Sequence, residues 1–282
     1  MAHRPGVGDA LGWVTMKASP DPRGTLSPEV AGPLLFARFA YPPNELGYCG
    51  SEDHRTLLEY GAAQVVDPGI RELAKGFSGA WPYLQFIATE TGIGDPLDTR
   101  VVEAYWIGSP LLEGLDVTAL GNSLRDRFAP RAGASWKYLE ETIPAKALPH
   151  HSFHVLGVYP WVGLLNGDLG DHPLRILDRC RIRWGRVVAD LGEKLVVSSR
   201  PLEWDGRSLS LGAEIEELAV TTLEGYGFVS GFSPGEWVAL HWDWVCDRLD
   251  RRQLANLQRY TNTHLSIANH GLAHPGPATV LG

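Results

Sequence analysis

Apolar residues recur at two spacings along this chain, and the switch between them divides it. Between residues 27 and 172 they return every three or four positions, the period of a helix with one buried face. A first helix is expected to start at Ser27, with Pro28 at its first position and Glu29 in its first turn. Its body, Val30 to Ala40, is apolar nearly all round, which predicts burial. Tyr41-Pro42-Pro43-Asn44 through Gly50 reads as a turn-rich loop, and Asp53 then caps a helix running through Tyr60. Helical stripes follow at Val65, Ile70, Leu73 and Phe77, at Leu84, Phe86 and Ile87, at Val101, Val102, Tyr105 and Trp106, and at Leu115, Leu120, Leu124 and Phe128. Pro149 suits the first position of a further helix.

The cluster from Asn166 to Pro173 is dense in turn residues, and beyond it the period drops to two. Arg179, Arg181 and Arg183 alternate with Cys180, Ile182 and Trp184, so a strand is expected to open at Cys180. Short strands follow at Val187-Val188, Lys194–Arg200, Ser208–Leu211, Ile215–Thr221, Tyr226–Val229 and Trp237–Leu240, with Asp205-Gly206 as a hairpin signal. So many short strands suggest a small antiparallel β-barrel. From Trp242 onward the pattern reads as helical again, with Leu249, Leu254, Leu257 and Tyr260 in its stripe and Asp250 able to cap. The expected architecture is therefore α+β: an arm over 1–26, a helical domain over 27–172, a barrel plus helix over 173–262, and a tail over 263–282, although helical pattern can extend to Gly271.

Composition narrows the function. The chain has 282 residues with 25 basic and 33 acidic side chains, and its net charge of −8 disfavours a nucleic-acid partner. No run of about 18 apolar residues exists to span a membrane, and the start lacks a signal-peptide core, so a cytoplasmic location is expected. Three dispersed cysteines, Cys49, Cys180 and Cys246, argue for reduced thiols over a disulfide framework. The 10 tryptophans suit either a pocket or contact surface, or large core residues. There is no phosphate-binding Gly-rich loop of the G-x-x-x-x-G-K-[ST] type and no G-x-S-x-G elbow.

The residues that suit metal chemistry are a thiol at the opening of the strand region and an imidazole at its close. Cys180 and His241 together offer soft sulfur and borderline nitrogen, which suit iron, nickel or zinc. His154 lies one helical turn from both His150 and His151, a spacing that suits a chelate, buried histidines on backbone carbonyls, or a protein contact. Asn44, Tyr48 and Cys49 in the first loop, and Cys246, are further pocket candidates.

Two resemblances sharpen the picture. Cys180, Gly185, Arg186, Val187 and Val188, then Gly235-Glu236-Trp237-Val238 with His241, then a helix after Asp250, resemble the HypC/HupF family of [NiFe]-hydrogenase assembly chaperones over residues 176–262. That resemblance implies a HypC-like, OB-like barrel in which Cys180 and His241 bind iron, possibly with carbonyl and cyanide ligands, for transfer to the hydrogenase large subunit or other maturation proteins. The family's cysteine stands at the mature N-terminus, whereas Cys180 is internal, the segment 198–232 is longer, and Trp242–Cys246 replace small residues. Residues Leu34 to Asn44 with Cys49-Gly50 resemble an uncharacterised bacterial family associated with actinobacterial hydrogenase gene clusters. Two other readings stay open: a metal-dependent enzyme acting on a small molecule in a histidine-lined pocket of the helical domain, and a metal-free docking protein anchored by tryptophans.

Overall fold

A computed structural model describes residues 16–17, 28–116, 118–123, 147–158, 160–167 and 169–273. The expected arm lies outside these residues except for β1 (Met16–Lys17), which pairs antiparallel with β2 (Val65–Val66). Leu124 and Phe128 of the fourth helical stripe, and residues 274–282 of the expected tail, also lie outside them.

Helix α1 (Pro28–Glu45) is the axis of the helical part. Leu34, Phe36, Phe39 and Tyr41 are all buried, as an apolar surface on every side requires. The helix runs on through Pro42 and Pro43, which sequence assigned to a loop. Proline lacks an N–H, so the carbonyls of Arg38 and Phe39 lose their helical donors there. Burial of Ala40, Tyr41 and Asn44 holds the segment helical nonetheless. Around α1 pack α2 (His54–Ala63), α3 (Pro68–Lys75), α4 (Trp81–Glu90) and α5 (Thr99–Trp106). Asp53, Asp67 and Asp98 cap α2, α3 and α5 by accepting from the amides of Thr56, Gly69 and Arg100. A single turn, α6 (His151–Phe153), continues into a π-helical stretch over His154–Val158, and α7 (His172–Cys180) follows.

The second part holds β3 (Arg183–Asp190), β4 (Lys194–Ser199), the hairpin of β5 (Leu202–Trp204) and β6 (Leu209–Leu211), β7 (Ile215–Val220), the short pair β8 (Thr222–Leu223) and β9 (Tyr226–Gly227), then β10 (Trp237–His241) and β11 (Trp244–Leu249). The strands pair in the cyclic order β10-β11-β7-β4-β3 and back to β10. All these pairings are antiparallel except β11 with β7. Val187, Leu195, Val197, Ala219, Val238, Leu240 and Val245 fill one apolar cluster. The alternate residues Trp184, Ala239, Trp244 and Cys246 belong to the cluster that also contains Phe36, Phe39 and Trp106, so strands and helices share a core. Helix α8 (Arg251–Ala273) closes the chain, with Asp250 and Gln253 each accepting from the other's amide.

Three expectations are corrected. Cys180 ends a helix instead of opening a strand, and the strand begins at Arg183. Trp242–Leu249 is not helical: Trp242 adopts φ 53 in a tight turn, and β11 returns along β10. The alternation of β11 is hidden in the sequence because Val245 and its neighbours Trp244 and Cys246 are all buried, on opposite faces. The tail expected from 263 is helix to Ala273, held by His264, Leu265 and Ala268 in the core. Arg181 and Arg183 are buried, paired with Asp178 and Glu217 respectively.

Glu217 binds this junction together. It accepts from Arg183, Ser199 and Arg179, and Arg183 also donates to the Trp242 carbonyl at 2.6 Å. Burial opposes ionisation of Glu217, but Arg183, Ser199 and Arg179 outweigh it and hold its carboxyl below the ordinary value. Glu217→Ala leaves Arg183 buried and unpaired, and is expected to cost about 3–5 kcal/mol in urea unfolding; a loss under about 1 kcal/mol, the range of exposed pairs, would show the network to be incidental.

Candidate metal centre

The pairing of Leu240 with Arg183 brings the end of β10 against the start of β3. His241 therefore meets the residues just before Arg183, which are the end of α7. A helix C-terminus leaves its last carbonyls without intrahelical donors. Here the Trp242 amide donates to the Arg179 carbonyl at 2.8 Å, and the His151 ring reaches the Cys180 carbonyl through Nε2 at 2.8 Å. The open helix end is thus closed by the two segments that carry the histidines.

The orientation of His241 follows from a proline. In α1 the amide of residue 43 would ordinarily bond the Phe39 carbonyl, but residue 43 is proline. The freed carbonyl lies 2.6 Å from His241 Nδ1. A carbonyl only accepts, so Nδ1 carries the proton and Nε2 carries the lone pair. That Nε2 is buried with no hydrogen-bond partner. The same logic at His151 puts the proton on Nε2 and leaves Nδ1 bare, 3.2 Å from the Tyr105 hydroxyl. Tyr105 also has the Gly79 carbonyl as acceptor at 3.1 Å, so it keeps a partner if Nδ1 turns to another ligand.

One ligand atom from each of His151, Cys180 and His241 lies within 4.8 Å of the other two, and all three residues are buried. Around a single ion with bonds of about 2.0–2.3 Å, ligand atoms sit roughly 3.3–3.8 Å apart, so binding requires contraction of about 1.5 Å at most. The orphaned nitrogen and the donor set fit a soft or borderline ion. The surrounding pocket is walled by Pro43, Phe77, Ala80 and Trp106, and no carboxylate lines it. Hard cations such as Mg²⁺ and Ca²⁺, which need oxygen ligands, have nothing to bind there. Burial, and then the His151 ring, hold His241 well below its ordinary pKa, and burial holds His151 down to about 4. Both rings are therefore neutral, as ligation requires, while burial pushes the Cys180 thiol above its ordinary value.

The other candidates divide. His154 lines the same pocket with its Nδ1 3.3 Å from the Tyr83 hydroxyl, and Gly79 leaves room for it, since a Cβ there would lie 2.9 Å from His154 Nε2. Cys49 and Tyr48 also line the pocket, and Tyr48 stacks on Trp242 at 4.5 Å at its mouth. Asn44 does not reach the pocket; its amide donates to the carbonyls of Cys49 and Ser51 and shapes that loop. His150 turns away. It precedes the single turn of α6, accepts from the Ser152 amide, and stacks on Tyr260 and His264, so the expected pairing with His154 is absent. Cys246 is a core residue whose Sγ faces the Trp244 carbonyl at 3.9 Å. Sequence reasoning placed Tyr105 only in a helical stripe and missed its place at the pocket, and it missed Pro43, whose signal was two prolines following a largely apolar helix.

A family model described as "Family of unknown function (DUF6390)" matches residues 28–275. No curated protein and no protein of solved structure matches the chain.

Three measurements probe this arrangement. His150, His151, His154, His241 and His264 are all held below their ordinary pKa, chiefly by burial. The unfolded chain gains protons on them below about pH 6.5 while the folded chain does not. Stability is thus complete above that pH and falls below it, by up to about 1.4 kcal/mol per histidine per pH unit, which urea midpoints on either side will show. Zinc or cobalt uptake displaces the thiol proton of Cys180, so apparent affinity should rise at least about tenfold per pH unit near neutrality. Pro43→Ala restores an amide that competes for the Phe39 carbonyl; helicity should persist while metal affinity drops about 10–100-fold, as for other lost partners of a ligating histidine.

Proposed function

Because the chain belongs to the DUF6390 family, whose function is unknown, we propose its role from its site: a protein that holds one transition-metal ion through His151, Cys180 and His241. The observation that carries this is the unpartnered, buried Nε2 of His241 beside the Cys180 thiol and the His151 ring. An apolar pocket leaves such a nitrogen unsatisfied at a cost of about 1–3 kcal/mol unless something binds it.

We further propose that the ion is iron, handled during [NiFe]-hydrogenase assembly and passed to the large subunit. The resemblance of residues 176–262 to the HypC/HupF chaperones supports this, as does the meeting of Cys180 with His241. On this reading the cyclic strand arrangement is a small HypC-like, OB-like barrel, and the helical part supplies His151 as an additional ligand. Thiolate and imidazole suit low-spin iron. Donors on one side of the ion leave positions facing the pocket for diatomic ligands, and Phe77, Ala80 and Trp106 keep water from crowding them.

The alternative, a metal-dependent enzyme acting on a small molecule, draws on Tyr105 and His154, which line the pocket beside the proposed ion. Burial holds His154 down to about 3, which makes it a weak base near neutrality and favours carriage over catalysis. The metal-free docking reading is weakened by its anchors: Trp81, Trp106, Trp184, Trp242 and Trp244 are all buried.

The test is elemental analysis with infrared spectroscopy on protein made anaerobically alongside the hydrogenase maturation machinery. About one iron per chain is expected, with carbonyl and cyanide bands. Cys180→Ala and His241→Ala should each lower metal affinity by more than the roughly 10–100-fold typical of an outer-sphere loss. Zinc without such bands would move the conclusion to the enzyme reading, and metal bound equally by both variants would remove the site altogether.

A further inference from the structure

The three-ligand site has an electrostatic imbalance. A divalent ion held by one thiolate and two neutral imidazoles carries a net charge of +1 inside a pocket that no carboxylate lines. An uncompensated charge in such surroundings is costly. A second anionic donor would remove it, and one thiol lies at hand.

Between α1 and α2, residues 46–53 are exposed at every position except Cys49. Its side chain turns inward, into the pocket that Cys180, His151 and His241 line, while Tyr48 lines the same pocket and stays exposed. The loop is built to hold it so. Buried Asn44 donates to the Cys49 carbonyl at 2.7 Å and to the Ser51 carbonyl at 2.6 Å, gripping the backbone on both sides of Gly50. Gly50 itself has φ 87 and leaves no space for a Cβ, which would lie 2.6 Å from the Phe77 ring. The inward turn of Cys49 is thus fixed by hydrogen bonding and close packing. The second, independent observation that a ligand belongs here is the unpartnered Nε2 of His241, which lines the same pocket.

We infer that Cys49 is a fourth metal ligand, completing a two-cysteine, two-histidine set from the solvent side of the pocket. The inference rests on the metal-binding reading above. Each thiol gives up one proton to solvent as its sulfur bonds the ion, so a divalent cation is exchanged for two protons and the filled site is neutral. Cys180, His151 and His241 sit on core elements, whereas Cys49 is carried by an otherwise exposed loop whose Tyr48 stacks on Trp242 at the mouth. Cys49 is therefore the ligand through which the ion is admitted and surrendered.

The test uses Co²⁺ alone, added anaerobically to the full chain, with two readouts. Thiolate-to-cobalt charge-transfer absorption per bound ion should fall by about half in Cys49→Ser, one thiolate of two being lost. In the unsubstituted protein, cobalt should slow alkylation of Cys49 by iodoacetamide at least about tenfold, because a coordinated thiolate is no longer a free nucleophile; peptide mass spectrometry reads this without any variant. Undiminished absorption in Cys49→Ser, or Cys49 alkylated as fast with cobalt as without it, overturns the fourth ligand while leaving the three-ligand site standing. No cobalt band in the unsubstituted protein overturns both.

Discussion

The hydrogen bond between the His241 ring and the Phe39 carbonyl, 2.6 Å long, is the contact on which the site depends. It exists because Pro43 cannot supply the amide that would otherwise occupy that carbonyl. A helix defect in the first part of the chain thereby sets the tautomer of a histidine at the end of a strand in the second. The ring is left with its lone pair facing inward, and imidazole binds metal only through such a lone pair. The partner on the far side of a ligating histidine commonly fixes its orientation in this way. Here that partner is main chain in the most deeply buried helix, which gives the ring little freedom to turn.

The same economy recurs at the end of α7. Its terminal carbonyls accept from Trp242 and His151, so the groups a helix end leaves unsatisfied become the attachment points for both histidine-bearing segments. Arg183, neutralised by Glu217, fixes the carbonyl of Trp242 in its left-handed turn directly after His241. Helices and strands are not independent bodies around this point. Phe39 and Trp106 share one apolar cluster with Trp184, Ala239 and Trp244, and Trp106 lies against both His151 and His241. The site is formed from both parts at once, and neither contains it alone.

This explains what could be read from the chain and what could not. The meeting of Cys180 with His241 was expected from their places at the two ends of the strand-rich stretch, and the two lie within 4.8 Å of one another. The helical first part and strand-rich second part were legible from period alone. The secondary structure at the two ligands was not. Arg179 to Trp184 alternates basic and apolar residues like a strand, yet the arginines find buried acceptors and Cys180 falls on a helix end. Period arguments assume that charged side chains face water, and Asp178 and Glu217 remove that assumption. Among the histidines, spacing suggested a pair one turn apart, but only His151 joins the ligand set. His150 precedes the helical turn with extended backbone and packs elsewhere, whereas the His151 and His154 rings lie 6.5 Å apart and line the same pocket. The partners decided the outcome: the Cys180 carbonyl for His151, Tyr83 for His154, and for His150 the neighbouring Ser152 and the stacked His264 ring.

The chemistry of the pocket narrows its role further than the ligands do by themselves. His154 lines the pocket beside these donors, and burial holds its pKa down to about 3. What the pocket offers is a dry wall of aromatic and aliphatic groups around soft donors, with no oxygen anion to compete. Those are conditions for keeping a thiophilic ion from hydrolysis and from exchange with harder cations. A site that only stored its ion would gain from burying every ligand in rigid structure. This one buries three and suspends a further thiol on an exposed loop, under a stacked pair of rings at the mouth. On the metal-carrier reading proposed above, that division between fixed and peripheral donors suits release of the ion as well as its binding.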